Sequence, residues 1–195
     1  GRFEQLKRYD SFEPGTMDHA AYGVKVLFDE GMIRRFLPDD KWDSIIYTAI
    51  AHHSDYELPE ISDPQTLLHA KLIRDEDKLD NCRVKLVDST STFINVSEEE
   101  LGTQNITQKV YETVFENKCI LSADRVTQMD YWVSYIVYFF DINFKESFDI
   151  IAENDYLNRI IDRISYSNPV TKEQMENIRV YMQNFINSHT NSQSF

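Results

Sequence analysis

The sequence has few cysteines and no long apolar run. Cys82 and Cys119 are the only cysteines among 195 residues, and their number and spacing match neither a zinc cluster nor the disulfide framework of a small secreted domain. The longest apolar stretch, YWVSYIVYFF at 131–140, is closed by Asp141 and is shorter than the roughly 18 apolar residues that a membrane-spanning helix needs. These absences predict reduced thiols, a cytoplasmic location and no membrane partner.

Positive charge is also scarce. The chain carries 20 Lys and Arg against 33 Asp and Glu, which gives a net charge of −13 at pH 7. A protein that binds a nucleic-acid polymer needs a basic surface to neutralise phosphates, so we expect no nucleic-acid partner. A small anionic substrate remains compatible with this charge if metal ions supply positive charge locally.

The apolar residues recur with helical spacing, and no segment alternates as a strand would. Asp18 is suited to cap a helix over DHAAYGVKVLFDEGMI that Gly31 ends, and a second helix follows over DDKWDSIIYTAIAHH. Asp63 and Pro64 are suited to begin a third over QTLLHAKLIRDEDKLDNCRVKL. Residues 85–100 are expected to be a loop or a short irregular segment.

The rest of the chain continues this helical pattern. At this length one domain over 1–195 is the better prediction, with its motifs in 1–84 and a C-terminal helical part over 98–188. The expected fold class is all-α. Further helices are predicted at about 106–118, 124–143, 145–153, 155–165 and 170–188.

Two adjacent histidines stand at the end of the second predicted helix. Helical spacing from Ile45, Ala49 and Ile50 predicts that His52 and His53 both point broadly inward. On the third helix, the same reasoning places Asp77 inward on an apolar stripe, where a carboxylate needs a partner. Imidazole and carboxylate are ligands for first-row transition metals. The alternative is a hydrogen-bonded core histidine and a solvated, salt-bridged acidic face.

Three motifs in this order resemble the HD-domain superfamily of metal-dependent phosphohydrolases, in the branch with additional histidines. The motifs are DHAAYG with His19, AHHSDY with His52 and His53, and RDEDKLD with Asp77. The resemblance implies an HD-type helical bundle in which these four residues bind one or two divalent ions, namely Mn, Fe, Co, Ni, Zn or Mg. It also implies that metal-activated water attacks the phosphate, which fits a sequence without a G-x-S-x-G elbow or a P-loop.

The family's first His and its His-Asp dipeptide do not occur in this chain. In the family that dipeptide is typically followed by an aliphatic residue and then Gly-Lys or Gly-Arg, and this chain begins Gly1-Arg2. We therefore expect the missing ligands just upstream of Gly1. The chain beginning at Gly1 is expected to be inactive or nearly so.

The expected substrate is a phosphomonoester or a phosphodiester, which includes nucleotides. Lys78, Arg74 and Arg2 are the cations suited to bind its phosphate, and the alternative for all three is a surface salt bridge, which we favour for Arg74 and Arg2. The aromatic stripe at 128–151 is expected to be core or the contact surface of a homodimer. The alternative function is a non-catalytic HD-like module that binds a ligand or a protein.

The metal expectation can be tested by elemental analysis. The full-length protein purified without chelator should contain about one to two equivalents of Mn, Fe, Co, Ni or Zn, and dialysis against a chelator should remove them. Failure to bind any of these metals in stoichiometric amount, even after each is added back, would favour the binding module.

Overall fold

The structure is a computed structural model that describes residues 2–10 and 16–190. All regular secondary structure in these two ranges is helical, and no strand occurs in them. The all-α prediction is therefore confirmed. None of the helices in the described ranges has the length and apolar character needed to cross a bilayer. The chain divides into two compact units, one up to Arg74 and one from Asp75 onward.

The first unit carries the two N-terminal motifs. It contains α1 (Arg2–Tyr9), α2 (His19–Val24), α3 (Asp43–Ala51) and the beginning of α4 (Pro64–Val87). A π-helical segment over Lys25–Asp29 continues α2, and a 3₁₀ turn follows over Met32–Arg35.

The ends of these helices follow local capping chemistry. The Asp18 carboxylate accepts a hydrogen bond from the Ala21 amide at 2.9 Å, and Gly31 adopts φ of 73° after the π-helical segment, as the cap and end signals predict. The Asp63 carboxylate accepts from the Thr66 amide at 2.7 Å at the start of α4. By contrast, α3 ends at Ala51, so the second helix is shorter than predicted and His52 begins the turn that follows it.

The second unit contains the rest of α4 and seven further α-helices in the described residues. Trp132 and Phe139, from the aromatic stripe, are almost fully buried in its core together with Leu101 and Ile178. The prediction of an irregular segment over 85–100 is wrong in part, because two short helices lie there. The helices after α4 are α5 (Thr90–Ile94), α6 (Glu98–Thr103), α7 (Gln108–Val114), α8 (Gln128–Ile136), α9 (Lys145–Glu153), α10 (Tyr156–Asp162) and α11 (Pro169–Thr190).

Gly102 in α6 allows two segments of the second unit to approach closely. A Cβ atom at this position would lie 2.2 Å from the backbone oxygen of Ser165. The Gly102 carbonyl also accepts hydrogen bonds from the amides of Ser167 at 3.0 Å and Asn168 at 3.2 Å. The absence of a side chain at Gly102 therefore fixes how the loop after α10 packs on α6.

Gly102→Ala should destabilise the second unit by about 1–3 kcal/mol, because backbone and not a flexible side chain must move to admit the methyl group. Gly23→Ala is the matched control, since its Cβ would meet only Ile50 Cγ2 at an ordinary 3.6 Å. The control should change stability by less than about 1 kcal/mol, and in the stabilising direction because alanine favours the helix. Urea denaturation of both variants measures this difference, and equal stability would contradict the close contact.

Candidate metal centre

Two of the predicted ligands meet in the first unit. His19 is the first residue of α2 and His53 lies two residues beyond the end of α3. Their Nε2 atoms are 3.0 Å apart, and the rings meet edge to face at an interplanar angle of 78°. The motifs DHAAYG and AHHSDY therefore direct one nitrogen each toward a common point.

The tautomer of His53 follows from its second contact. Its Nδ1 lies 2.7 Å from the carbonyl oxygen of Ile50. A carbonyl oxygen can only accept, so Nδ1 carries the proton and donates it. In the neutral ring this leaves the lone pair on Nε2, the atom that faces His19. A backbone carbonyl on the far nitrogen is the usual way in which proteins orient a metal-binding imidazole.

His52 is oriented by a carboxylate. Its Nδ1 lies 2.6 Å from Oδ2 of Asp55, so the ring donates to Asp55 and its Nε2 is the atom that could bind an ion. This contact is the carboxylate–histidine arrangement that accompanies many metal ligands. The structure thus brings His19 to His53 and holds His52 by Asp55.

Burial keeps His19 in the form that binds metal. Burial, followed by the charge of Arg2 and by the neighbouring His53, lowers the pKa of His19 to about 4. The ring is therefore neutral near pH 7, and neutral imidazole is the metal-binding form. The effect of Arg2 also shows that its positive charge acts at this site.

The His19–His53 pair fits a divalent ion. Two nitrogens that each lie about 2.0–2.1 Å from one ion, at an angle of roughly 90–109° at that ion, are separated by about 2.8–3.4 Å. The observed 3.0 Å between the two Nε2 atoms lies in this interval. No group of three or more His, Cys, Asp or Glu in residues 2–10 and 16–190 is arranged to hold an ion, so the pair is the part of the predicted ligand set that is assembled.

A thiolate ligand is not available at Cys82. Burial raises the pKa of its thiol to about 12, so the sulfur stays protonated at neutral pH. Cys119 is partly buried, and its sulfur lies 3.5 Å from the Val137 carbonyl oxygen.

Asp77 lies in the second unit and does not point inward. Its side chain is exposed, and Nδ2 of Asn81 lies 3.4 Å from its Oδ2. The expected inward orientation is therefore wrong, while a role as metal ligand stays a prediction. The buried carboxylate of this motif is Asp75, which accepts from the amides of Asn143 at 2.9 Å and Phe144 at 3.0 Å, and from Nδ2 of Asn143 at 2.9 Å.

Sequence reasoning missed Asp75 because the buried face of α4 is not the apolar one. Helical spacing from Ala70 and Ile73 placed Asp77 inward, but the buried residues run mostly in steps of four and include three cations. Apolar spacing does not identify such a face. Which charged residues are buried depends on hydrogen-bond and ion-pair partners that lie far away in the sequence. The buried residues of α4 are Thr66, Ala70, Arg74, Asp75, Lys78, Cys82 and Lys85.

The three predicted phosphate-binding cations have different surroundings. Lys78 is buried, and its Nζ pairs with Oδ2 of Asp141 at 2.6 Å. Arg74 is 1% exposed and donates to main-chain carbonyl oxygens of residues 52–56. The surface salt bridge that we favoured for Arg74 is therefore wrong, because the side chain is buried, and its substrate role stays a prediction. Arg2 is exposed and donates to Oε1 of Gln5 at 3.2 Å, and its substrate role stays a prediction.

His69 is exposed on α4 and belongs to none of the three motifs. It therefore offers a control for substitutions of the three candidate histidine ligands. Comparison with known proteins does not extend the site: no family model, curated protein or solved structure matches the chain. The resemblance to the HD-domain superfamily thus rests on the three motifs alone.

Asp75→Ala and Asp77→Ala test which carboxylate is structural. In the presence of a chelator, Asp75→Ala should lose about 3 kcal/mol or more, because three hydrogen-bond donors lose their buried acceptor. Asp77→Ala should stay within about 0.5 kcal/mol of the parent protein, since its side chain is exposed. Urea denaturation compares the two, and equal losses would contradict the assignment of Asp75 as the buried residue.

Proposed function

We propose that this protein is a metal-dependent hydrolase of phosphate esters related to the HD-domain superfamily. The observation that carries the proposal is the contact between His19 and His53, whose Nε2 atoms lie 3.0 Å apart. The two residues come from separate motifs, 34 positions apart in the chain. A histidine pair with one far nitrogen tied to a carbonyl and the facing nitrogens together is suited to bind a cation.

Each candidate residue has a distinct part in this proposal. His19 and His53 bind the ion through Nε2, and His52, oriented by Asp55, is the third imidazole. Asp77 is included as a candidate ligand on the basis of its sequence motif alone. A bound divalent ion would lower the pKa of the water molecule that it binds, and it would stabilise negative charge on the phosphoryl oxygens.

The charge of the chain explains why the site needs a cation. At a net charge of −13, the protein repels a phosphate ester unless positive charge is concentrated at the site. Arg2 is the best candidate for a direct phosphate contact, because its side chain is exposed and its charge acts on His19. To bind the substrate, Lys78 would have to break its ion pair with Asp141. We therefore assign it a smaller role in substrate binding than Arg2.

Activity should depend on metal and on His53. In the full-length protein, including any residues before Gly1, chelation should abolish hydrolysis of a generic phosphomonoester or phosphodiester, and added Mn²⁺ or Co²⁺ should restore it. His53→Ala should lower kcat/KM by roughly 10²-fold or more, because the nitrogen that holds the ion is lost. Hydrolysis of a chromogenic ester by the purified variants measures the effect.

The control for this experiment is His69→Ala, which removes an exposed histidine and should leave the rate within about twofold of the parent. Hydrolysis that persists in chelator would rule out the metal mechanism. A protein that binds neither ion and hydrolyses neither ester would instead favour the non-catalytic binding module.

A further inference from the structure

We infer that Arg74 is a positioning residue for the candidate metal centre. It holds the turn that carries His52 and His53 by binding the main-chain oxygens of that turn. Its role toward metal rests on the proposed function, whereas its hold on the turn is independent of it. Arg74 touches neither ion nor substrate in this assignment and acts through the histidines.

The end of α3 creates the need for such a residue. The last carbonyl groups of a helix have no amide partner within it, and they carry partial negative charge. Helix α3 ends at Ala51, and the two histidines follow immediately. A cation placed beyond this end complements the helix dipole, and it can also bind the carbonyl groups of the turn that follows Ala51.

Arg74 supplies that cation with the right geometry. Its Nη1 lies 3.0 Å from the carbonyl oxygen of His52, 2.8 Å from that of Asp55 and 3.4 Å from that of His53. Its Nη2 lies 3.5 Å from the carbonyl oxygen of Tyr56. One guanidinium thus gathers four carbonyls of a five-residue turn.

Because Arg74 is buried, its hydrogen bonds to the turn require the donor geometry of arginine. Only 1% of its surface is exposed, and a buried charge is stable only when hydrogen bonds replace the water it has lost. Arginine presents five donors in a rigid plane, whereas lysine presents three on one nitrogen. Lysine at this position could reach fewer of the carbonyls, so the substitution is a graded test.

The turn bound by Arg74 contains both adjacent histidines and the carboxylate that orients His52. The carboxylate of Asp55 accepts from Nδ1 of His52, and Arg74 binds the main chain of both residues. The ring of His53 is tied to Ile50 on one side while its main chain is tied to Arg74 on the other. Loss of Arg74 would release His52 together with its orienting carboxylate, and would loosen the approach of His53 to His19.

The test compares Arg74→Met and Arg74→Lys in the full-length protein, including any residues before Gly1, by titration with Co²⁺ and by NMR of the imidazole protons in the metal-free protein. Arg74→Met should weaken Co²⁺ binding by about 10–100-fold, the range typical of residues that orient metal ligands. Arg74→Lys should weaken it by less. The imidazole signals of His52 and His53 should shift in both variants, while that of exposed His69 should not.

A second control distinguishes a general loss of stability from a loss of the positioning role of Arg74. Ile45 is a buried residue of α3. Ile45→Val should make the first unit less stable without changing a residue of the turn. It should leave Co²⁺ affinity and the imidazole signals unchanged at a temperature where circular dichroism shows every variant folded. If Arg74→Met does not fold, the comparison of Arg74→Lys with Ile45→Val decides the question.

The inference is overturned if folded Arg74 variants bind Co²⁺ within about twofold of the parent and keep its imidazole signals. If the parent protein binds no Co²⁺, the proposed function fails. The NMR comparison then still tests the positioning role, because it needs no metal.

Discussion

The candidate centre depends on the hydrogen bonds between the buried guanidinium of Arg74 and the main chain of the turn after α3. A buried charge is stable only when its environment supplies hydrogen bonds or an opposite charge, so each buried ionic group on α4 fixes the segment that partners it. Arg74 fixes the turn after α3 in the first unit. In the second unit, Asp75 fixes the main chain of Asn143 and Phe144, and Lys78 fixes Asp141.

Lys85 shows the same requirement met in another way. Its Nζ lies 4.0 Å from the ring centres of both Phe93 and Tyr135, and the lysine is only 4% exposed. The faces of aromatic rings carry partial negative charge and attract a buried cation. The long stems of lysine and arginine also cover apolar surface. Helix α4 can therefore bury several charged residues without a continuous apolar stripe.

Within the candidate centre, electrostatics and burial act in the same direction. Burial and the charge of Arg2 disfavour protonation of His19, and the Ile50 carbonyl holds the Nδ1 proton on His53. The Ile50 contact leaves the lone pair of His53 on Nε2, the atom that faces His19. Because His19 is neutral near pH 7 and the chain is strongly acidic, the site is suited to accept a cation, and that cation would in turn allow an anionic substrate to approach.

The sequence by itself determined the helical class, the caps at Asp18 and Asp63, and the candidate histidines. Each of these depends on local chemistry: apolar spacing, a side chain that reaches an amide three residues away, or a motif within a few positions. The aromatic stripe was likewise recognisable as a core element, and Trp132 and Phe139 are buried in the second unit.

Only the tertiary structure decided which residues of α4 are buried and what they do. Asp75 and Asp77 are two positions apart in an acidic segment, and only the donors of Asn143 and Phe144, 68 or more positions away, make the first of them the buried one. Arg74 looked like a surface cation because its partners are carbonyl oxygens, which every residue possesses and no sequence pattern marks. Contacts to the backbone of distant segments exist only once the chain has folded, and for that reason the sequence alone could not assign them.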